Sequence, residues 1–133
     1  MEQPLRDNLA GYFARHAQDV AAVYIFGSHA RGTATATSDV DVAILLKATP
    51  PRTLGGLHLD LAADIEHLLG CEVDLVVLNT APVDLVHRVL RDGALIADFD
   101  PSRRIQFEVK ARNEYFDLAI YIDQYRRYTE RRS

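Results

Sequence analysis

Three aspartates, a glycine and a serine carry the chemistry that this sequence can do. Asp39 and Asp41 stand two apart at the head of an apolar run, residues 40–46. An earlier apolar run, residues 21–26, ends in Gly27-Ser28, and ten residues separate Ser28 from Asp39. Asp74 lies within a third run, residues 72–78. The matching chemistry is in-line phosphoryl or nucleotidyl transfer, in which two divalent ions clamp the attacking and leaving oxygens. Magnesium prefers hard oxygen ligands, usually carboxylates together with substrate phosphates. Because strand side chains alternate with period two, Asp39 and Asp41 share one face. Asp74, on an adjacent strand, is placed to complete the set. Gly27 lets the backbone approach a phosphate, since it has no Cβ. Ser28 offers a hydroxyl, and a helical turn after it aims N–H groups at the anion.

Each piece alone is a weak signal. Taken alone, Asp-x-Asp reads more readily as a solvated strand start, and Asp74 as one exposed acid on a half-buried strand. Their ordered combination is much narrower. Other phosphate and metal motifs fail. Gly27 to Gly32 is not followed by Gly-Lys-Ser/Thr, so it is no P-loop, and it lacks the middle glycine of a dinucleotide fingerprint. The acids do not continue into a calcium-binding loop.

Leu5, Leu9, Tyr12, Phe13 and Ala17 recur at helical spacing and predict a helix over 4–17. A buried strand follows at 21–26. Ser28 is expected at a helix N-cap, with a short helical turn at 29–33. The small polar residues 33–38 read as a loop. In the strand 40–46, Asp39, Asp41 and Ala43 face one side and Val40, Val42 and Ile44 the other. Residues 48–56, with Pro50 and Pro51, read as a loop. Leu57, Leu61, Ile65, Leu68 and Leu69 mark a helix that Gly70 stops. In the strand 72–78, Asp74 faces away from Val73, Leu75 and Val77. A helix at 82–91 turns Val83, Val86, Val89 and Leu90 inward and closes at Asp92-Gly93; it reads as a packing helix. A short strand at 94–97 and a long helix from 101 to about 127 complete the chain.

The chain of 133 residues reads as one domain, a core of about 1–100 with a helical segment of about 101–130. The single cysteine, Cys71, excludes an internal disulfide and any multi-cysteine zinc site, and is expected to be a small buried residue. No secretory signal or membrane span is evident, so a cytoplasmic protein is expected. Residues 1–102 hold 7 Lys+Arg against 14 Asp+Glu; residues 103–133 hold 8 against 5. So acidic a body argues against direct nucleic-acid binding.

The run Gly27-Ser28, ten residues, Asp39-Val40-Asp41 resembles the signature of the polymerase-β-like nucleotidyltransferase superfamily. More narrowly, Gly27-Ser28-His29-Ala30-Arg31-Gly32 with Ser38-Asp39-Val40-Asp41 is similar to the minimal nucleotidyltransferases, the MntA-type MNT antitoxins. Val73-Asp74-Leu75-Val76 resembles that family's third-carboxylate strand, and Tyr115-Phe116-Asp117-Leu118 its C-terminal helix. The resemblance covers nearly the whole chain. It implies an α/β fold, a small mixed sheet flanked by helices. It also implies ATP as substrate, two magnesium ions, and transfer of AMP to a tyrosine of a HEPN-domain ribonuclease toxin, which that transfer inactivates. In this scheme Asp39, Asp41 and Asp74 ligate metal, Asp74 also helps to activate the attacking hydroxyl, and Gly27 and Ser28 hold the phosphates. Arg31 either joins them or is an exposed arginine of the helical turn.

Two alternatives stay open. One is an antitoxin that acts by binding and occlusion without catalysis. The other is a nucleotidyltransferase acting on a small molecule or an RNA end. His16, His29, His58, His67 and His87 show no metal-like pairing. In the C-terminal helix, Phe107, Ala111, Tyr115, Leu118, Ile122 and Tyr125 form one stripe, widened by Phe116, Ala119, Ile120 and Tyr121. Its far end sets Tyr121, Tyr125 and Tyr128 among Arg126, Arg127, Arg131 and Arg132. Tyrosine and arginine are enriched at protein interfaces, so the toxin, in a hetero-oligomer, or a second copy is expected to dock there.

Overall fold

The computed structural model describes residues 3–16, 19–32, 39–48 and 55–132. In chain order the elements are α1 (Gln3–His16), β1 (Val20–Phe26), α2 (Ser28–Arg31), β2 (Val40–Leu46), α3 (Gly55–Leu69), β3 (Val73–Val77), α4 (Val83–Asp92), β4 (Ala94–Asp98) and α5 (Pro101–Arg132). A 3₁₀ turn, Leu78–Thr80, joins β3 to α4. The expected loop at 33–38, and Pro50 and Pro51, lie outside the described residues.

The four strands form one mixed sheet in the order β3-β2-β1-β4. β1 runs antiparallel to both β2 and β4, while β2 and β3 are parallel. Apart from Asp41, Asp74 and Asp98 the strands are apolar, because both faces are covered, as expected for sheets sandwiched between helices. On one face α1 and α3 bury Leu9, Tyr12, Phe13, Leu61 and Ile65 against Val23, Ile25, Val42 and Ile44. On the other, α4 and the first part of α5 pack Val86, Val89 and Ala111 against Ala22, Tyr24, Ala43 and Leu45. Alanines at the centre of that second face leave room for helices to come close.

Polar groups fasten these layers. The Tyr12 hydroxyl donates to Asp64 Oδ2 at 3.0 Å, tying α1 to α3. The Tyr24 hydroxyl donates to Glu108 Oε1 at 2.7 Å. Arg104 bridges the same Glu108 at 3.1 Å and Asp98 at 2.8 Å. Charge-assisted contacts of this length are the strong kind, and they pin the start of α5 across β1 and β4.

Three expectations change. Gly27, not Ser28, holds the N-cap position of α2. Cys71 is half-buried at the edge of the first apolar cluster, not enclosed. The long helix continues to Arg132, since no proline or glycine interrupts it. Beyond Tyr115 it leaves the body: Phe116, Tyr121 and Tyr125 are 63%, 66% and 60% exposed. Tyr115 itself stacks on His87 of α4, ring centroids 3.5 Å apart, which accounts for that histidine structurally. Among the described residues, no helix is long and apolar enough to cross a membrane.

Candidate active site

Asp41 and Asp74 meet because β2 and β3 are parallel and in register, with Asp41 paired to Asp74. Asp41 shares its face with Ala43 and Leu45, and Asp74 with Val76, so both carboxylates point to the α4 side. Neighbouring strands lie about 4.8 Å apart, which sets the two groups side by side. On the other flank of β2, Asp41 pairs with Phe26, the last residue of β1. The chain then turns at Gly27, whose φ of 71° and ψ of −149° belong to a region essentially restricted to glycine. A Cβ built there would land on Asp41 Oδ2. The missing side chain therefore keeps the backbone against the carboxylate, and brings Ser28 beside it.

These residues line a cleft whose walls are Phe26, Gly27, Ser28, Asp41, Asp74 and Val76 from the sheet side and Leu85, Arg88 and Asp92 from α4. Sequence pattern does not single out the α4 residues, because the apolar stripe Val83, Val86, Val89 and Leu90 accounts for that helix as packing. The signal was available: Leu85, Arg88 and Asp92 recur at spacings of three and four, one face of a helix, beside the core stripe rather than on it. Among the described residues the cleft wall thus carries three carboxylates and one guanidinium.

Asp39 is placed differently. It is exposed, one residue ahead of β2, and does not line the cleft. Burial pushes the Cys71 thiol up, and the nearby negative charges of Asp39 and Glu66 push it further. Among the described residues, no three His, Cys, Asp or Glu side chains converge as a metal-binding group. Two of the three expected ligands, Asp41 and Asp74, are therefore brought together. Arg31 is the last residue of α2, but its side chain, like that of His29, lies outside what is described. The donor set fits a hard cation: two carboxylates in register, with no thiol or imidazole among the described cleft residues.

The family described as "Polymerase beta, Nucleotidyltransferase" matches residues 7–102, which take in all four strands and stop at the start of α5. A curated relative, "Protein adenylyltransferase MntA" of Shewanella oneidensis, is 32% identical over 89 residues, 67% of this chain. The match spans 56% of that protein, a little over half its length. A solved structure described as a toxin–antitoxin with AMP-PNP superposes with a TM-score of 0.74 at 26% identity, over 89% of this chain and 96% of the other. A complex of tri-AMPylated Shewanella oneidensis HEPN toxin with MNT antitoxin gives 0.71 at 24% identity, over 92% and 98%; at that identity the likeness concerns the fold.

Proposed function

The chain belongs to the polymerase beta nucleotidyltransferase family, and we propose on that footing that it is an antitoxin that transfers AMP from ATP to a tyrosine of a HEPN-domain ribonuclease. The observation that carries this reading is the in-register pair Asp41 and Asp74 facing the Gly27-Ser28 turn across one cleft. The fold likeness to a toxin–antitoxin holding AMP-PNP supports ATP as the substrate. Residues 1–133 act as one nucleotidyltransferase unit in the cytoplasm, with α5 as its helical appendage.

In the proposed reaction Gly27 and Ser28 hold the triphosphate, with Arg31 beside them. The tyrosine hydroxyl attacks the α-phosphorus and its proton passes to Asp74. The new bond joins tyrosine oxygen to phosphorus, the α–β bridging bond breaks, and pyrophosphate leaves. Asp41 and Asp74, with Asp39 at the head of β2, would hold two magnesium ions, which when bound supply Lewis-acid stabilisation of the phosphate oxygens. The chain's own part is positioning and charge, which is most of what such transfers need.

The exposed distal half of α5 is where the toxin docks in this reading. Among the described residues, its large apolar side chains Phe116, Leu118, Ile120, Tyr121, Ile122, Tyr125 and Tyr128 are exposed. If neutralisation depends on catalysis, Asp39→Asn and Asp41→Asn each release toxin activity in a growth assay while the complex still forms. Full neutralisation by both variants would favour occlusion instead.

A further inference from the structure

We propose that Arg88 is a nucleotide-binding residue whose guanidinium takes the triphosphate of the substrate; this rests on the nucleotidyltransferase reading and narrows it. Three observations on α4 carry it. First, Arg88 lines the cleft together with Gly27, Ser28, Asp41 and Asp74, while the core face of the same helix belongs to Val86 and Val89. Its place is not explained by packing.

Second, Arg88 has no carboxylate partner among the described ion pairs. Asp92 stands four residues on, the ordinary spacing for a helical ion pair. That carboxylate is instead gripped by Arg91 through both oxygens, Nε to Oδ1 and Nη2 to Oδ2, each at 2.9 Å. An arginine with an acid at that spacing can pair with it, and here the acid is engaged by the neighbouring residue.

Third, the electrostatics of the wall call for such a group. Asp41, Asp74 and Asp92 line the cleft, and Arg88 is the one cation among its described residues. A polyanion entering beside three carboxylates needs positive charge from the protein as well as from any metal. Arginine presents planar paired donors that match phosphate oxygens, often bidentately. A neutral phenol, the proposed acceptor, would gain far less from a guanidinium than a phosphate does, which assigns Arg88 to the nucleotide and not to the acceptor.

Calorimetric titration of the full-length protein tests this, with inorganic tripolyphosphate, ATP and adenosine as probes in metal-free buffer. Arg88→Gln is expected to weaken tripolyphosphate and ATP about tenfold, the worth of one charge-assisted hydrogen bond, and to leave adenosine unchanged. Arg88→Lys should retain part of the affinity. Folding of each variant is checked by thermal unfolding, and the exposed position leaves it unchanged. Unaltered tripolyphosphate binding by Arg88→Gln overturns the proposal, as does an equal loss of adenosine or a wild type that binds neither anion. The outcome separates cleanly from the function itself. A wild type that transfers AMP alongside an Arg88→Gln variant with unchanged ATP affinity sinks only the Arg88 assignment. Arg88-dependent triphosphate binding without AMP transfer to a HEPN partner sinks only the acceptor reading.

Discussion

Asp41 of β2 and Asp74 of β3 are direct register partners of a parallel strand pair, and Gly27 closes the same site from the far side of β2. One ladder therefore fixes the spacing of the two carboxylates, and one glycine fixes the approach of the backbone to the first. A shift of β3 by a single residue would turn Asp74 to the opposite face, into the α1–α3 layer. The pairing is held by apolar burial on both sides of the sheet, so the site's geometry is a product of the core.

Gly27→Ala is expected to impair nucleotide binding more than the loss of flexibility alone would suggest. The new Cβ meets Asp41 Oδ2, and φ of 71° with ψ of −149° is strained for any residue with a side chain. A stability loss of about 1–3 kcal/mol is expected from the backbone. Titration with ATP on protein that is still folded should show weakened binding. Wild-type affinity would show that the backbone does not need to approach Asp41.

Much of this site is legible in the sequence, for identifiable reasons. The strand faces of Asp41 and Asp74 follow from period two, and the apolar runs leave no doubt which residues go inward. What escapes is whatever depends on tertiary placement. Arg88 and Asp92 sit beside a convincing apolar stripe, and local pattern does not show that their flank of α4 overlooks the strand ends. Asp39 shares a face with Asp41 in an ideal strand, but it precedes the first residue of β2 and is not held to the pleat. Ser28 has the composition of a cap, yet the position goes to Gly27 because only glycine takes that backbone conformation.

Stability is expected to fall in alkali before any change at neutral pH. Burial, then the hydrogen bond to Asp64, pushes the Tyr12 hydroxyl up from 10.0 to about 12. Burial and Glu108 push Tyr24 up as well. Both tyrosines hold their protons more tightly when folded, so their contribution is complete below about pH 10. It is lost as pH rises from there, where the unfolded chain ionises first. Urea midpoints measured between about pH 9 and pH 12 should decline, and Tyr12→Phe should flatten the decline. A flat wild-type profile would contradict the raised values.

Tyr24→Phe removes the donor to Glu108 and loosens the start of α5. The expected cost is about 1–3 kcal/mol, because Glu108 is left half-buried with one partner fewer. Equilibrium unfolding in denaturant gives the number directly. A neutral result would mean that Arg104 and Arg112 hold Glu108 without the Tyr24 hydroxyl.

Truncation after Leu118 should separate folding from partnership. The lost residues include Tyr121, Tyr125 and Tyr128, all exposed, whereas Ala111 and Tyr115 remain packed on the body. The unfolding midpoint is expected to change little, by about 0.5 kcal/mol or less. Association with the proposed HEPN partner, followed by size-exclusion chromatography, should be lost. A truncated chain that still forms the complex would remove α5 from the interface.

The most direct measurement is the intact mass of a HEPN partner after incubation with this protein, magnesium and ATP. The account predicts added AMP on a partner tyrosine, and a loss of about a hundredfold or more in rate with Asp41→Asn, whose carboxylate is central to the site. A stably bound partner that gains no mass, or equal AMP transfer by wild type and Asp41→Asn, would contradict it.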